Sequence, residues 1–349
     1  MRIVLDTLGG DNPPEEVAAG GLEAVERFKI ELLLAGPEKR LAPLLEERPH
    51  LRDRVTILDT AEAITMEDSP AEAVRRKRNS SLIKGIKALK EGLAEAFVSP
   101  GNTGAVMAAA TLHLGRLPGI DRPGIGVTLP TLAGGRFLLI DVGANTDPTP
   151  QHLKQFAIMG QVYMHEVLGV AEPKVGLLNI GSEPNKGNEL ARKAYPLLTN
   201  LEGFVGNVES DRILQGGIDV VVCDGFVGNI LLKGLEGAAV ALFKLMKASI
   251  KKDLRAKLGG LLLEPALRRL AADLDPKQHG GAPLLGVKGV VIIAHGHSDA
   301  EAITNAIRVA RTAVENRLPK RIEQGIAKRG GLGWLASLRR RREGRKEAE

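Results

Sequence analysis

Residues 136–145 read RFLLIDVGAN, a short apolar run that ends in Asp, Gly and Asn. An apolar run of this length, closed by turn-forming residues, is typical of a strand that is buried on both faces of a parallel sheet. Helical periodicity follows at Leu153–Leu168. The stretch therefore predicts one strand–loop–helix unit of an α/β protein.

The same alternation of short apolar runs and amphipathic stretches extends over most of the chain. The predicted strands are Ile3–Asp6, Glu31–Ala35, Val55–Leu58, Ala96–Ser99, Gly126–Leu129, Phe137–Val142, Val175–Ile180, Phe204–Asn207, Val220–Cys223 and Val290–Ala294. The predicted helices are Glu15–Arg27, Ser80–Gly92, Thr103–Leu114, Leu153–Leu168, Glu189–Leu198, Gly228–Leu258 and Ala300–Leu318. Strands that alternate with helices predict an α/β fold with a largely parallel sheet and helices on both faces.

No repeat or low-complexity linker divides the chain, so we expect residues 1–318 to form a single large α/β domain. Within it, residues 244–285 are expected to form a helical protrusion with an apolar tip, Gly259–Leu263, and a flexible Gly280-Gly281 pair. Residues 319–349 are expected to form a basic C-terminal tail, because they hold ten Lys and Arg against four Asp and Glu. The preceding residues are neutral overall, so the net charge of +6 does not indicate a nucleic-acid binder.

The composition of the 349 residues excludes several classes of protein. Aromatic residues are only 3%, which argues against a protein that stacks nucleic-acid bases. A single cysteine rules out a disulfide framework and a multi-Cys zinc site, and it fits a reducing cytosol. The longest apolar runs, such as Val290–Ala294, are shorter than the roughly 20 residues of a transmembrane helix, and no apolar signal segment precedes Asp6. We therefore expect a cytoplasmic protein.

Five loops that follow predicted strands combine Gly with Asn, Asp or Lys, and each precedes a helix. They are Asp6–Asn12, Ser99–Gly104, Asp141–Asp147, Asn179–Glu189 and Asp224–Asn229. Because the carboxyl ends of parallel strands share one edge, we expect these loops to converge on one crevice, where helix N-termini favour an anion such as phosphate. The alternative is that Gly and Asn serve only as turn formers and caps, although that does not require the long side chain of Lys186.

Several standard catalytic and cofactor motifs are absent from the sequence. No Gly-x-Gly-x-x-Gly follows the first strand, and there is no Gly-x-x-x-x-Gly-Lys-Ser/Thr, His-Glu-x-x-His or Gly-x-Ser-x-Gly. Cys223 is either a nucleophile or, as is commoner at the end of an apolar strand, a small buried residue. His295 and His297 are either an acid or metal ligands, or else polar loop residues. The run Arg75–Arg78 is either a solvated face or a surface that attracts an acidic partner.

Nine blocks of sequence, taken in order and spacing, closely resemble one enzyme family. The blocks are Asp6–Asp11, Arg76–Ser81, Gly101–Ala105, Leu117–Pro123, Asp141–Asn145, Lys186–Glu189, Gly206–Glu209, Asp224–Asn229 and His295-Gly296. The chain resembles phosphate acyltransferases of the PlsX type from Met1 to about Leu318. The departures are Thr7-Leu8 for the usual Ala-Met, Pro100 where Ala is common, and Ser182 where an acid is common.

The resemblance implies a Rossmann-like sheet, similar to the isopropylmalate dehydrogenase and phosphotransacetylase architectures, in a homodimer. It also implies that a fatty acyl group passes from the thioester of acyl carrier protein to inorganic phosphate, without a cofactor or metal. The product, acyl phosphate, would serve phospholipid synthesis, with a membrane glycerol-3-phosphate acyltransferase as its next user and a partner. Two alternatives are an acyl-CoA:phosphate transferase of the phosphotransacetylase class and a non-catalytic protein that binds lipid or nucleic acid through its basic tail.

The resemblance and the loop chemistry together assign roles to residues. Lys186 is the predicted point charge for phosphate or the developing oxyanion, and Asn229 and Asn188 are the predicted amide donors to carbonyl or phosphate oxygens. The predicted phosphate- and substrate-binding residues are Asp6, Gly9, Gly10, Asp11, Gly101, Asn102, Thr103, Gly104, Asn145, Asn207, Gly225 and His295. The predicted supporting residues, which hold these groups in place, are Asp141, Asp224 and Glu189.

Two segments are candidate contacts with an anionic membrane surface. Within residues 244–270, Leu258, Leu261, Leu262 and Leu263 lie beside the bases Lys247, Lys251, Lys252, Arg255 and Lys257. The tail sets Leu332, Trp334, Leu335 and Leu338 before Arg339–Arg342. Apolar residues next to bases are typical of an interfacial anchor, so we expect peripheral membrane association. The alternative is that the leucines pack in a dimer interface and the tail is solvated.

Overall fold

The computed structural model describes residues 1–250, 255–257, 259, 261–265 and 280–329. These residues form an 11-stranded sheet. Its strands are β1 (Arg2–Asp6), β2 (Glu31–Gly36), β3 (Val55–Asp59), β4 (Ala96–Ser99), β5 (Gly124–Pro130), β6 (Arg136–Ile140), β7 (Val175–Asn179), β8 (Phe204–Glu209), β9 (Val220–Val222), β10 (Ala282–Leu285) and β11 (Val290–Ile293).

Ten α-helices have their bounds within the described residues. They are α1 (Glu15–Phe28), α2 (Glu38–Glu46), α3 (Pro70–Arg76), α4 (Ser81–Lys90), α5 (Thr103–His113), α6 (Pro150–Glu166), α7 (Glu189–Leu198), α8 (Gly225–Ile250), α9 (Ala300–Glu315) and α10 (Leu318–Arg329). Six of them begin at a polar N-cap whose side-chain oxygen accepts a backbone N–H of the first turn: Ser80, Asn102, Thr149, Asn188, Asp224 and Asp299. Caps of this kind explain why the helices begin directly after the strand–loop junctions.

The strand order is β3-β2-β1-β4-β11-β10-β5-β6-β9-β7-β8. The first five strands in this order are parallel to one another, and so are the last four, β6, β9, β7 and β8. Between these two blocks, β10 pairs antiparallel with both β11 and β5, and β5 pairs antiparallel with β6. The predicted largely parallel α/β sheet is confirmed, and its two parallel blocks run in opposite directions.

The two faces of the sheet bury two separate hydrophobic cores. Alternate residues of one strand enter different cores: Leu138 and Ile140 of β6 lie in the first, and Phe137 and Leu139 lie in the second. The first core is covered by α1, α2, α6, α7, α9 and α10, and the second by α3, α4, α5 and the first half of α8. Helices therefore cover both faces, as the two-sided burial of the strand residues requires.

The predicted boundaries of the protrusion and the tail differ from the observed ones. The range 244–285 includes β10, which is a strand of the sheet and was not predicted. The tail was expected to begin at Pro319, but residues up to Arg329 form α10, which buries Ile322 and Ile326 in the first core at helical spacing. Residues 266–279 and 330–349, which include the predicted Trp334 and Arg339–Arg342 anchor, lie outside the described residues.

Helix α8 leaves the body with most of its apolar side chains exposed. Phe226, Ile230, Val240, Leu242 and Leu245 are each more than half exposed. By length and composition alone this helix is long and apolar enough to cross a membrane, a property that the short apolar runs of the sequence did not predict. Its charged residues, Lys233, Glu236, Lys244 and Lys247, are spread along its length.

Candidate functional site

The predicted site residues fall into two clusters of loops. The Asp6 cluster is formed by the loops after β1, β4 and β11, and the Asp141 cluster by the loops after β6, β9 and β7. Because the two parallel blocks run in opposite directions, these loops leave opposite edges of the sheet. The expectation that all five loops share one sheet edge is therefore wrong, since the antiparallel strands β10 and β5 reverse the sense of the sheet.

Asp6 is the buried centre of the first cluster. Its carboxylate accepts hydrogen bonds from the Ser81 hydroxyl at 2.5 Å, the Ser99 hydroxyl at 2.7 Å and the Leu8 backbone N–H at 3.3 Å. Burial raises the pKa of Asp6, and these hydrogen bonds oppose the increase. The Gly101 N–H donates to the Ser99 hydroxyl oxygen at 3.0 Å, so Asp6 fixes the loops after β1 and β4 relative to each other.

The backbones of these loops approach so closely that side chains are excluded. A Cβ atom on Gly9 would lie 2.6 Å from the Gly101 nitrogen. The Asp11 N–H donates to the Gly296 carbonyl at 2.9 Å, and the Asp11 carboxylate pairs with His297. The structure thus brings the predicted residues Gly9, Asp11 and Gly101 together with the loop after β11.

The loop that was predicted to cradle phosphate is fastened to a segment that precedes α3. The Asn102 Oδ1 atom accepts the Ala105 N–H at 3.1 Å, and its amide nitrogen lies 3.2–3.3 Å from the carbonyl oxygens of Thr65, Met66 and Asp68. The Asn102 side chain therefore joins the loop after β4 to the segment before α3. Nearby, Thr103 and His295 remain exposed, and a Cβ atom on Gly104 would lie 2.7 Å from Pro70.

Asp141 is the buried centre of the second cluster and accepts four hydrogen bonds. Its Oδ1 atom accepts from the backbone N–H groups of Ile125 at 3.0 Å and Ala144 at 3.1 Å. Its Oδ2 atom accepts from the Asn145 backbone N–H at 2.7 Å and the Asn145 amide at 2.9 Å. Burial raises the pKa of Asp141, with the hydrogen bonds acting against it. The predicted supporting role of Asp141 fits these contacts, and Asn145 joins it in that role, because its amide also donates to the Pro123 carbonyl at 2.8 Å.

The start of α8 packs directly on the Asp141 turn. The Gly225 N–H donates to the Asn145 carbonyl at 2.7 Å, and the Asp224 carboxylate accepts the Val227 N–H at 2.8 Å. A Cβ atom on Gly228 would lie 1.9 Å from the Asp141 carbonyl oxygen, so only Gly fits there. Asp224 therefore acts as a helix cap that positions this turn.

Asn229 lies against the same turn with its amide group unengaged. A Cβ atom on Gly143, where φ is +138°, would be 3.9 Å from the Asn229 amide nitrogen. Within the described residues, the Asn229 side chain makes no hydrogen bond. A half-buried amide beside a glycine turn leaves a donor free for a ligand oxygen.

The Lys186 loop leaves the same edge of the sheet as Asp141. The Asn179 amide donates to the Lys186 carbonyl at 3.1 Å, which fixes the loop on the end of β7. The Lys186 ammonium is exposed and makes no ion pair or hydrogen bond with the residues that the structure describes. Asn188 caps α7 through its Oδ1 atom, which accepts the Ala191 N–H at 2.9 Å.

Two predicted residues of this region engage other partners. The Asn207 amide donates to the Glu183 carbonyl at 2.7 Å, while its buried Oδ1 atom has no partner in the described part of the chain. Because that free atom is an acceptor, it would repel a phosphate oxygen, so Asn207 is better suited to holding the Lys186 loop. Glu189 pairs with Lys193 at 2.6 Å on the exposed face of α7, and this pairing lowers its pKa.

Of the two alternatives for Cys223, a nucleophile or a small buried residue, the structure supports the buried residue. Its thiol is 4% exposed and donates to the Asp141 carbonyl at 3.3 Å. Burial raises its pKa well above the usual value, and the carboxylates of Asp141 and Asp224 add to the increase. A thiol in this setting is not an activated nucleophile. No group of three or more His, Cys, Asp or Glu that could hold a metal occurs among the described residues.

Sequence analysis missed the two serines that hold Asp6. Ser81 and Ser99 occur in the blocks and loops quoted above, but neither was assigned a role. Their spacing in the sequence gives no sign that both hydroxyls meet one carboxylate, because Ser81 is 75 and Ser99 is 93 residues from Asp6. Only the pairing of β1 with β4 and the packing of α4 on β1 bring them together.

The fold is one that known transferases share. A phosphotransacetylase from Streptococcus pyogenes matches with a TM-score of 0.62 over 91% of this chain and 94% of that chain, at 18% identity. The chain thus has the α/β architecture of a phosphotransacetylase, as predicted.

Comparison of sequences identifies the family. A family model described as fatty acid synthesis protein matches residues 1–321. A phosphate acyltransferase from Halothermothrix orenii is 50% identical over 95% of this chain and 100% of its own length, and one from Desulfitobacterium hafniense is 49% identical over 93% of this chain and 98% of its own. The chain belongs to this phosphate acyltransferase family, and the predicted enzyme class is confirmed.

Proposed function

We propose that this acyltransferase moves a fatty acyl group from the thioester of acyl carrier protein to inorganic phosphate, giving acyl phosphate. Phosphate has its second pKa at about 7 and is already a nucleophile at neutral pH, and a thiolate is a good leaving group. The reaction therefore needs positioning and stabilisation of a developing oxyanion more than a strong acid or base. Positioning contributes roughly 7–11 kcal/mol and one oxyanion donor about 3–4 kcal/mol.

The free amide of Asn229 is the observation that carries this proposal. It lies beside the Gly143 turn, and the buried Asp141 carboxylate fixes that turn through four hydrogen bonds. In our proposal Asn229 donates to the oxyanion, the exposed Lys186 binds phosphate, and the free amide nitrogen of Asn188 assists. A donor held by a rigid turn loses little free energy to reorganisation during the reaction.

The Asp6 cluster is proposed to bind another part of the substrates. The exposed side chains of Thr103 and His295 lie beside the closely packed backbones at Gly9, Gly10 and Gly101, and they are the groups proposed to contact the ligand. The carboxylate of Asp6 already accepts hydrogen bonds from the hydroxyls of Ser81 and Ser99, so its role there is to hold the loops in place.

A basic patch at the C-terminal end of α3 is the proposed contact with the acyl carrier protein, which is strongly acidic. Of the run Arg75–Arg78, Arg76 pairs with Glu72 at 2.7 Å and Lys77 with Asp68 at 2.5 Å. Arg75 and Arg78 are exposed and have no ion pair with a described residue, so they carry the free positive charge. The double change Arg75→Glu and Arg78→Glu should raise the KM for the acylated carrier and leave that for phosphate unchanged. Equal effects on both would refute this docking site.

The exposed apolar side of α8 is proposed to be covered by a second copy of the chain. Lys233, Glu236, Lys244 and Lys247 disfavour burial of this helix in a bilayer, where a charge near the centre costs about 2.5–3.5 kcal/mol. A second copy would cover the apolar side chains and leave these charges at the rim. Sedimentation should report a dimer that Leu242→Glu and Leu245→Glu dissociate, and a monomer in the unmodified chain would contradict the proposal.

We further propose a cytoplasmic enzyme that attaches to membrane surfaces and hands its product to a membrane glycerol-3-phosphate acyltransferase. Leu261, Leu262 and Leu263 are more than half exposed, and Arg255 and Lys257 nearby are exposed bases. Attraction to anionic lipid is worth roughly 1 kcal/mol per base, so binding should be reversible and salt-sensitive. The intact chain should sediment with anionic vesicles at low salt, and Leu261→Asp with Leu262→Asp should weaken this. Equal sedimentation of both forms would exclude these leucines as the anchor.

The proposed reaction is tested with long-chain acyl carrier protein and labelled inorganic phosphate. We expect labelled acyl phosphate together with release of the free carrier thiol. A parallel reaction with acyl-CoA tests the phosphotransacetylase-like alternative. Faster turnover with acyl-CoA than with the acylated carrier would favour that alternative, and no labelled product from either donor would refute the reaction.

A further inference from the structure

A free arginine lies at the rim of the Asp141 cluster. Arg122 belongs to the sequence block Leu117–Pro123, which has no assigned role so far. Its guanidinium group is exposed and makes no ion pair or hydrogen bond with any described residue. The carbonyl oxygen of the next residue, Pro123, accepts the Asn145 amide at 2.8 Å, and the same amide donates to the Asp141 carboxylate. Arg122 is therefore one residue away from a direct contact of the Asp141 cluster.

A buried glutamine fixes the loop that carries Arg122. Gln155 of α6 is 5% exposed, and its Oε1 atom accepts the Asp121 backbone N–H at 3.0 Å. Its amide donates to the Gly119 carbonyl at 3.0 Å and to the Asp121 carboxylate at 2.7 Å. Gln155 thus holds one side of Arg122 and Asn145 holds the other. The backbone at Arg122 is fixed, while its guanidinium group stays without a partner in the described part of the chain.

His152, in the first turn of α6, adds a second donor near Arg122. Its Nδ1 atom accepts the Thr149 N–H at 3.0 Å, so in the neutral ring the proton is on Nε2. Burial lowers the pKa of His152, the charge of Asp121 opposes this decrease, and the charge of Arg122 adds to it. The ring is therefore neutral at pH 7, and its Nε2–H group has no partner among the described residues. Arg122 lies close enough to act on this ring electrostatically.

A phosphate ion at the Asp141 cluster needs more positive charge than the residues assigned so far supply. Inorganic phosphate carries roughly one to two negative charges near neutral pH, because its second pKa is about 7. Of the residues assigned to this cluster, Asp141 and Asp224 are acidic, and Lys186 is the single base. An arginine can donate two parallel hydrogen bonds to a phosphate, whereas an ammonium group acts as a point charge. Arg122 supplies both the further charge and the planar donors.

We infer that Arg122 is a phosphate-binding residue of the Asp141 cluster, with the Nε2–H group of His152 as a further donor to the same anion. The inference rests on the proposed function, in which inorganic phosphate is the nucleophile. Arg122 holds the phosphate before the reaction, whereas Asn229 acts on the oxyanion that develops during it. Loss of Arg122 should therefore raise the KM for phosphate, and loss of Asn229 should lower kcat.

Calorimetric titration with inorganic phosphate, in the absence of any acyl donor, tests the inference directly. Arg122→Gln should lower the phosphate affinity about ten-fold or more, as for the loss of a charge-assisted pair of hydrogen bonds. Arg122→Lys keeps the charge without the planar donors and should lower the affinity less. The urea midpoint of both variants should stay unchanged, because the Arg122 side chain forms no hydrogen bond or ion pair with a described residue.

Arg52→Gln is the matched control for this titration. Arg52 is an exposed arginine that precedes β3, and β3 lies seven strand positions from β6 in the sheet. This control should bind phosphate with the affinity of the unmodified chain. An affinity of Arg122→Gln within about two-fold of that value would overturn the inference, as would an unmodified chain that binds no phosphate.

His152→Asn tests the second donor. The Asn oxygen can accept the Thr149 N–H in place of Nδ1, but the Asn side chain has no group at the position of Nε2. We expect phosphate affinity to fall about three-fold, which is less than in Arg122→Gln because the lost donor is neutral. An unchanged affinity would overturn the role assigned to His152.

Steady-state kinetics separate this inference from the proposed function. In Arg122→Gln the KM for phosphate should rise about ten-fold, while the KM for the acyl donor stays within about two-fold of its value in the unmodified chain. An equal rise of both KM values would overturn the inference. Absence of acyl phosphate from both acyl carrier protein and acyl-CoA would refute the proposed reaction, whereas the titration with phosphate alone would still decide the role of Arg122.

Discussion

Replacing Asp141 by Asn should destabilise the protein strongly although the two side chains have nearly the same shape. Each carboxylate oxygen accepts two N–H donors, from Ile125 and Ala144 at Oδ1 and from Asn145 at Oδ2. An Asn side chain has one oxygen, so in either orientation its amide nitrogen would face two donors. Two hydrogen bonds to a charged group are lost, at about 1.5–3 kcal/mol each, which gives about 3–6 kcal/mol.

Urea unfolding at pH 7 measures this loss, with Asp219→Asn as the matched control. The Asp219 carboxylate accepts the Lys174 backbone N–H at 2.8 Å, a hydrogen bond that an Asn oxygen can also accept. We expect the control to change the free energy of unfolding by less than about 0.5 kcal/mol, as is usual for substitutions away from buried networks. If Asp141→Asn changed it by no more than the control does, Asp141 would not be the element that fixes this turn.

Three further predictions concern single residues. Gly228→Ala should prevent folding because its Cβ would lie 1.9 Å from the Asp141 carbonyl oxygen, whereas Gly234→Ala meets nothing within 4 Å and should gain about 0.5–1 kcal/mol in urea unfolding. Lys186→Ala should lower acyl phosphate formation by orders of magnitude with unchanged circular dichroism, and near-normal turnover would exclude the phosphate role. Burial lowers the pKa of His113 from its usual value of 6.5, and the charges of Lys87 and Lys90 lower it further. As the pH falls, His113 therefore binds a proton in the unfolded chain at a higher pH than in the folded chain, so the protein loses stability as the pH drops below 6.5. Urea midpoints at pH 7.5 and 5.5 should therefore differ less in His113→Gln.

Much of the fold could be predicted because its strands are buried on both faces. Continuous apolar runs such as Phe137–Val142 predict such strands, and turn-forming residues mark where the strands end. The strand β10 was missed because Ala282–Leu285 follows directly on Gly280-Gly281 and contains Pro283, residues that are typical of a loop. That omission mattered, because β10 and β5 reverse the direction of the sheet.

The two site clusters could be predicted only in part, because the reversal of the sheet by β10 and β5 places them at opposite edges. The loops at Asp141, Asp224 and Lys186 were correctly expected at one edge, since β6, β9 and β7 are parallel. Sequence spacing does not reveal which side chains are already engaged, and so Asn102, Asn145 and Asn207 resembled free donors. In the fold each of them donates to backbone carbonyl groups.

The rate of acyl phosphate formation by Asn229→Ala tests most directly the claim that the Asp141 cluster is the catalytic site. Asn229 has no hydrogen-bond partner among the described residues, so its removal should leave the urea midpoint unchanged. We expect kcat to fall by a factor of about 10²–10³ at saturating phosphate, as for the loss of one oxyanion donor. A two-fold change or less in kcat would contradict the account and reduce Asn229 to a residue of the α8 turn.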